Sequence, residues 1–223
     1  MVYDDSAKPS VTVDMVVFTI IEGKLNVLLM KRGVEPSKGK WALPGGFVNI
    51  DEKLDDAAKR ELFQETGVKD IYLEQLYTFG DPHRDSRGRV ITVAHFALIN
   101  LEKQKQELKA TNHSVDAKWH QIDNLPELAF DHKKIFEYGL KRLRWKFEYS
   151  TVPYSLLGDK FTMSQIQKVY EIVLNKKFDK RNFAKKILTL GILKKEEIKK
   201  DVSHRPPRLY SLKIPIGEII ETI

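Results

Sequence analysis

Cysteine is absent from the 223 residues. That excludes a disulfide framework, thiolate zinc sites and a cysteine nucleophile, and it fits a reducing compartment. No stretch approaches the roughly eighteen consecutive apolar residues of a membrane-spanning helix. The opening MVYDDSAKPSVTV also has no basic region leading into an apolar run. Internal repeats and low-complexity tracts are missing too. The expectation is a soluble, cytoplasmic protein with no membrane partner. What is present is 42% apolar residues, enough for packed cores, over a length that suits one full domain and a small second one.

The net charge of +7 is unevenly spread: residues 1–150 hold 23 basic and 23 acidic side chains, whereas residues 151–223 hold 15 and 8. A charge run is usually a solvated surface. Confined to a small domain beside a neutral neighbour, the excess is also the electrostatic footprint of a phosphate-backbone binder.

Along the first part, VTVDMVVFTI (11–20) and LNVLLM (25–30) bracket the turn IEGK, as in a hairpin of buried strands. KWALPGGFV is a short strand broken by Pro44 and a glycine pair. A helix is expected from Leu54 to Thr66, stopped by Gly67. Strands follow at 71–79 and 89–99, joined by the arginine-rich loop GDPHRDSRGR. A short strand near AKWHQI and a long helix over 131–148 complete an α/β layered unit with a mixed sheet. The weakly periodic EYSTVPYSLLGDK (148–160) reads as a linker, dividing the chain into residues 1–150 and 151–223.

Gly46, Glu52, Arg60, Glu61, Leu62, Glu65, Gly67 and Val68 fall at the spacing G-x5-E-x7-R-E-U-x-E-E-x-G-U, with Gln64 at the one specified position that departs from it. This resembles the Nudix box, and the match implies the Nudix fold, an α/β/α sandwich. Glu61 and Glu65, four residues apart, share a helix face with Gln64 alongside. Carboxylates so gathered repel each other unless a cation lies between them, and Mg²⁺ suits oxygen donors and diphosphate substrates. The resemblance implies a metal site at Gly46, Glu61, Gln64 and Glu65, with Glu61 and Glu65 as catalytic carboxylates and Glu52 paired with Arg60. An amphipathic helix with ordinary charge pairs is the plainer account, disfavoured by the glycines on both sides. Gln64 keeps an oxygen donor and loses a charge, so hydrolysis is expected to be weak or lost.

The loop TFGDPHRDSRGRVI carries Arg84, Arg87 and Arg89 and resembles the ADP-ribose-recognising segment of Nudix proteins. With Arg32, these arginines are candidate effector ligands, because guanidinium forks pair with phosphate oxygens. Singly, each could equally be a free surface arginine. His83, His95 and His120 have no metal-ligand spacing.

Beyond the linker, FTMSQIQKVYEIVL opens with a capping-box pair, Thr162 and Gln165, ahead of Ile166, Val169, Tyr170 and Val173. FDKRNFAKKILTLGIL follows, with Asp179 as N-cap and Gly191 as stop. It sets Phe183, Ile187 and Leu190 on one face, with Arg181, Lys185 and Thr189 opposite, flanked by Asn182 and Lys186. VSHRPPRLYSLKI reads as a basic turn into a strand. Helix, turn, helix and wing form the layout of a DNA reader, with Arg181, Asn182, Lys185, Lys186, His204, Arg205 and Arg208 toward DNA. A dimerisation or protein-contact domain is the plainer alternative. Together, FTMSQIQKVYEIV, DKRNFAKKI and RPPRLYSL behind a Nudix box resemble the Nudix-related transcriptional regulators of the NrtR type. That resemblance implies a homodimeric repressor of NAD metabolism with a double-stranded operator and ADP-ribose as effector. The rival expectation is a Mg²⁺-dependent ADP-ribose pyrophosphatase with a basic accessory domain.

Overall fold

The computed structural model describes residues 8–67, 71–103, 108, 114–196 and 207–220, without the side chains of Glu65 and Thr66. His204, Arg205 and the Glu65 side chain therefore lie outside the described residues.

Strands β1 (Ser10–Ile21) and β2 (Lys24–Arg32) form the expected hairpin. Its turn places Glu22 and Gly23 in the left-handed region, at φ 49° and 75°. Short strands β3 (Trp41–Ala42) and β4 (Gly45–Phe47) flank Pro44, and helix α1 (Leu54–Thr66) follows. Then come β5 (Tyr72–Phe79), β6 (Val90–Leu98), β7 (Ser114–Gln121) and helix α2 (His132–Tyr149). These strands make one mixed sheet in the order β3-β2-β1-β6-β5, with β4 added on β1 and β7 on β2. β1, β2 and β6 read as nearly continuous apolar runs because both of their faces are covered: Val13, Met15 to Phe18, Val27 to Leu29, Phe96 and Ala97 are all buried.

Two close approaches fix the helices on this sheet. A Cβ on Gly139 of α2 would come within 3.0 Å of the Val16 side chain, so the glycine lets the helix backbone settle onto β1. α1 packs on β4 with Ala57, Ala58 and Leu62 inward, and it ends at Gly67 with φ 70°.

By contact density the chain divides into two units, Met1–Phe18 with Asn26–Ala97 and Gln106–Leu140, and Thr19–Leu25 with Leu98–Lys105 and Lys141–Ile223. In the second unit, residues 148–160 are not a loose linker. Ser150, Thr151 and Val152 are fully buried and a 3₁₀ turn spans Val152–Leu156. The tail closes over them, with Thr151 N donating to the Glu218 carbonyl at 3.0 Å and Ile220 N to that of Tyr149 at 2.8 Å. A five-residue turn is too short to print a period on the sequence, which is why it reads as irregular.

Helix α3 (Met163–Leu174) starts at the expected capping box and buries Ile166, Val169, Tyr170 and Val173. Helix α4 (Lys180–Thr189) is capped by Asp179, whose side chain accepts from Asn182 N at 2.9 Å. Edge-on rings link Phe147, Tyr170 and Phe183 at centroid separations of 5.3 and 5.4 Å. Strand β10 (Leu209–Leu212) pairs antiparallel with both β8 (Phe161–Thr162) and β9 (Leu193–Lys195), forming the wing sheet. Among the described residues no helix is long and apolar enough to cross a membrane.

Candidate functional site

β4 lies against β1 with Val13 opposite Gly46 and Asp14 opposite Gly45. A Cβ on Gly45 would meet the Val13 carbonyl oxygen at 2.3 Å, and one on Gly46 would meet the Glu61 carboxyl at the same distance. Gly45 therefore admits no side chain, and any side chain at 46 would displace the Glu61 carboxyl, which is seated against bare backbone. Arg60 organises the rest of the box: its Nε and Nη2 donate to Glu52 at 2.7 and 2.8 Å, its Nη2 to the Phe47 carbonyl at 3.0 Å, and its Nη1 to Glu61 at 2.5 Å. These carboxylates raise the Arg60 pKa further above its ordinary value, and hydrogen bonding from Arg60 holds the Glu52 carboxyl below the usual range. Gln64 Oε1 receives only a long contact from Arg60, at 3.4 Å.

Glu61 and Gln64 offer hard oxygen donors of the type Mg²⁺ takes, so the donor chemistry fits, but Glu61 is the only charged donor of the two. Among the described residues no three His, Asp or Glu side chains converge as a metal cluster.

Beside the box opens a cavity of about 380 Å³, lined among others by Asp14, Arg32, Phe47, Glu61, Arg84, Arg87, Phe130 and His132. The size suits a nucleotide-scale ligand. The four candidate arginines meet different fates. Arg84 is buried, with Nε and Nη2 donating to Asp131 at 3.0 and 2.7 Å and Nη2 to Asp14 at 3.2 Å. Arg87 is chelated by the buried Asp85, at 3.0 Å from Nε and 2.6 Å from Nη2. Arg32 Nε donates to the Pro36 carbonyl at 2.8 Å. Arg89 is exposed, donates to the Gly80 carbonyl at 2.7 Å and does not line the cavity.

The sequence places Asp85 beside the loop arginines without showing its role, and it does not single out Asp14, Asp131 or His132. His132 Nδ1 accepts from Leu43 N at 2.9 Å, and burial lowers its pKa, so the ring is neutral at the cavity floor. A signal for Asp14 was present: an acid inside the apolar run VTVDMVVFTI must find a cation if the strand is buried.

In the second unit, Phe183 and Ile187 are buried and Leu190 is half-buried, while Arg181, Asn182, Lys185, Lys186 and Thr189 are all exposed on α4. Arg208 is exposed just before β10. The approach to α4 is pinned by Glu171, which accepts from Gln167 at 3.0 Å, Lys177 at 2.9 Å and Phe178 N at 3.1 Å.

A box-bearing α/β sandwich with a ligand-sized cavity, followed by a winged helix with a basic exposed helix, defines a Nudix protein joined to a nucleic-acid-reading module. Residues 10–139 match the NUDIX domain family and residues 153–212 the NrtR DNA-binding winged helix domain. The chain is 37% identical over 208 residues to the ADPR responsive transcriptional repressor NtrR of Acinetobacter baylyi, covering 92% of this chain and 83% of that one. It resembles Shewanella oneidensis NrtR complexed with a 27mer DNA at a TM-score of 0.78 and 36% identity, over 91% of this chain and 93% of that one. The NUDIX domain of the same Shewanella protein complexed with ADP ribose matches at 0.57 and 37%, over 63% of this chain and 94% of that one. The chain belongs to the NrtR family of transcriptional regulators.

Proposed function

We propose that this protein is a cytoplasmic transcriptional repressor of NAD metabolism that binds an operator as a homodimer and senses ADP-ribose in its Nudix domain. In this reading residues 1–150 bind the effector and residues 151–223 bind DNA. The observation that carries it is the pairing of a guanidinium-lined cavity beside Glu61 with an exposed basic face on an N-capped α4. The names of the Acinetobacter and Shewanella proteins supply the ligand and the DNA. Arg32, Arg84 and Arg87, which line the cavity, are the proposed effector residues, with Arg89 outside its lining, and Arg181, Asn182, Lys185, Lys186, His204, Arg205 and Arg208 are the proposed DNA contacts.

Mg²⁺, held by Glu61, Gln64, Glu65 and the Gly46 backbone, would neutralise the diphosphate. With Gln64 in place of a carboxylate, and with Arg60 already engaging Glu61, hydrolysis is slow or absent. An effector shifts DNA binding only by preferring one of two protein arrangements, so ADP-ribose must alter DNA affinity measurably. The test is fluorescence anisotropy of full-length protein on upstream duplex DNA with and without ADP-ribose, beside a chromatographic assay for AMP and ribose 5-phosphate. An effector-dependent change in DNA affinity with little turnover is expected. Rapid turnover abolished by Glu61→Gln, with no DNA binding, would make the protein a Nudix hydrolase instead.

A further inference from the structure

Leu188 is the residue of α4 that neither the packing of the helix nor its charge explains. Phe183 and Ile187 are buried inside the second unit, and the outward side of the helix is otherwise cationic or polar, with Arg181, Asn182, Lys185, Lys186 and Thr189. Leu188 is 43% exposed. At roughly 100° per residue it lies about 20° round the helix from Arg181 and about 140° from Phe183, so it stands in the middle of the basic face and not at the margin of the buried one.

A single surface leucine is ordinary. At the centre of a face turned toward DNA it is selective through what it lacks. The side chain has no donor and no acceptor, so the major-groove group it complements is the thymine C5-methyl. The base-edge donors and acceptors of the other three bases would lose water against it and gain no partner. Thr189 beside it does not fill that gap, because its Oγ1 donates to the Lys185 carbonyl at 2.9 Å and spends its proton within the helix.

We infer that Leu188 is a specificity-determining residue that reads a thymine methyl in the major groove, beside the cationic contacts of Arg181 and Lys185. The cations supply attraction that any duplex shares, and the leucine supplies a preference between bases. An apolar contact releases no counterion, so its worth is the same factor at every salt concentration. The inference rests on α4 being the DNA-reading helix.

The test compares full-length protein in fluorescence anisotropy on two versions of the duplex upstream of its own gene, one built with thymine and one with deoxyuridine throughout. The two differ only in the C5-methyl groups. Wild type should bind the deoxyuridine duplex about fourfold more weakly for each leucine engaged, the worth of one buried methyl. Leu188→Ala should lose that factor on the thymine duplex, bind both duplexes alike and keep its salt dependence. Leu188→Met, apolar and of similar volume, should restore the thymine preference. Arg181→Ala should weaken both duplexes by one common factor. A wild type indifferent to the methyls, a Leu188→Ala variant weakened equally on both duplexes, or one that binds like the wild type would each overturn the role of Leu188 and leave the regulator reading standing. No binding to either duplex at low salt would overturn both.

Discussion

At the residue scale, the cavity floor depends on charges that are paired far from one another in sequence. Arg84 meets Asp131 and Asp14 at separations of 47 and 70 residues, with 4% of the Arg84 side chain exposed. Removing one partner of a buried pair leaves a charge uncompensated. Asp131→Asn should therefore lower unfolding free energy by about 3 kcal/mol in urea titration. The control Asp116→Asn, which breaks the more exposed Lys118 pair, should cost under about 1 kcal/mol. This separation also marks the limit of what the sequence could say. Gly46, Arg60 and Glu61 were legible because their spacing is local and the crowding of Glu61 on Gly46 enforces it. The arginine loop was legible as a cluster, but the partners that bury Arg84 and flatten Arg87 follow from tertiary packing, so the arginines looked interchangeable when they are not.

At the scale of elements, caps and turns were readable and short packed segments were not. The Thr162–Gln165 box and the Asp179 cap are local patterns, and both are formed. Residues 148–160 and the three-residue β9 carry no period, so the sequence shows the first only as an irregular stretch and gives no sign of the second. Asp179→Ala should destabilise the protein by about 1 kcal/mol and weaken DNA binding as α4 frays. Arg181→Ala with Lys185→Ala should weaken DNA binding without moving the thermal midpoint, since both side chains are exposed. Comparing thermal melts with anisotropy titrations separates the two effects.

The turn before α4 gives a pH prediction. Hydrogen bonds from Lys177, Gln167 and the Phe178 backbone pull the Glu171 carboxyl down to about 2 from its ordinary 4.5. Its folded pKa is depressed, so its contribution to stability is complete above about pH 4.5 and is lost as pH falls toward 2. Glu171→Gln should narrow its stability gap from the wild type across that window, measured by urea unfolding at stepped pH. An unchanged gap would mean that the carboxylate does not pin the turn.

For the whole molecule, the charge split between a neutral stretch and a +7 stretch is the feature with the widest consequence for binding. Neutralising phosphates releases counterions, so DNA affinity should fall roughly a thousandfold between 50 and 200 mM salt if about six contacts form. ADP-ribose affinity should move far less over the same range, because one diphosphate releases few ions. The matched domains cover residues 10–139 and 153–212, while the contact-based units draw Thr19–Leu25 and Leu98–Lys105 in with Lys141–Ile223, so the charge split at residue 150 does not coincide with the division by contacts. The glycine pair has a different bearing. A methyl at 45 would collide with the Val13 main-chain oxygen whether or not the protein hydrolyses anything, whereas one at 46 would only push the Glu61 carboxyl out of its seat. A glycine at 45 is thus demanded by the packing of one strand on its neighbour, and it bears no witness to whether the site turns over a substrate.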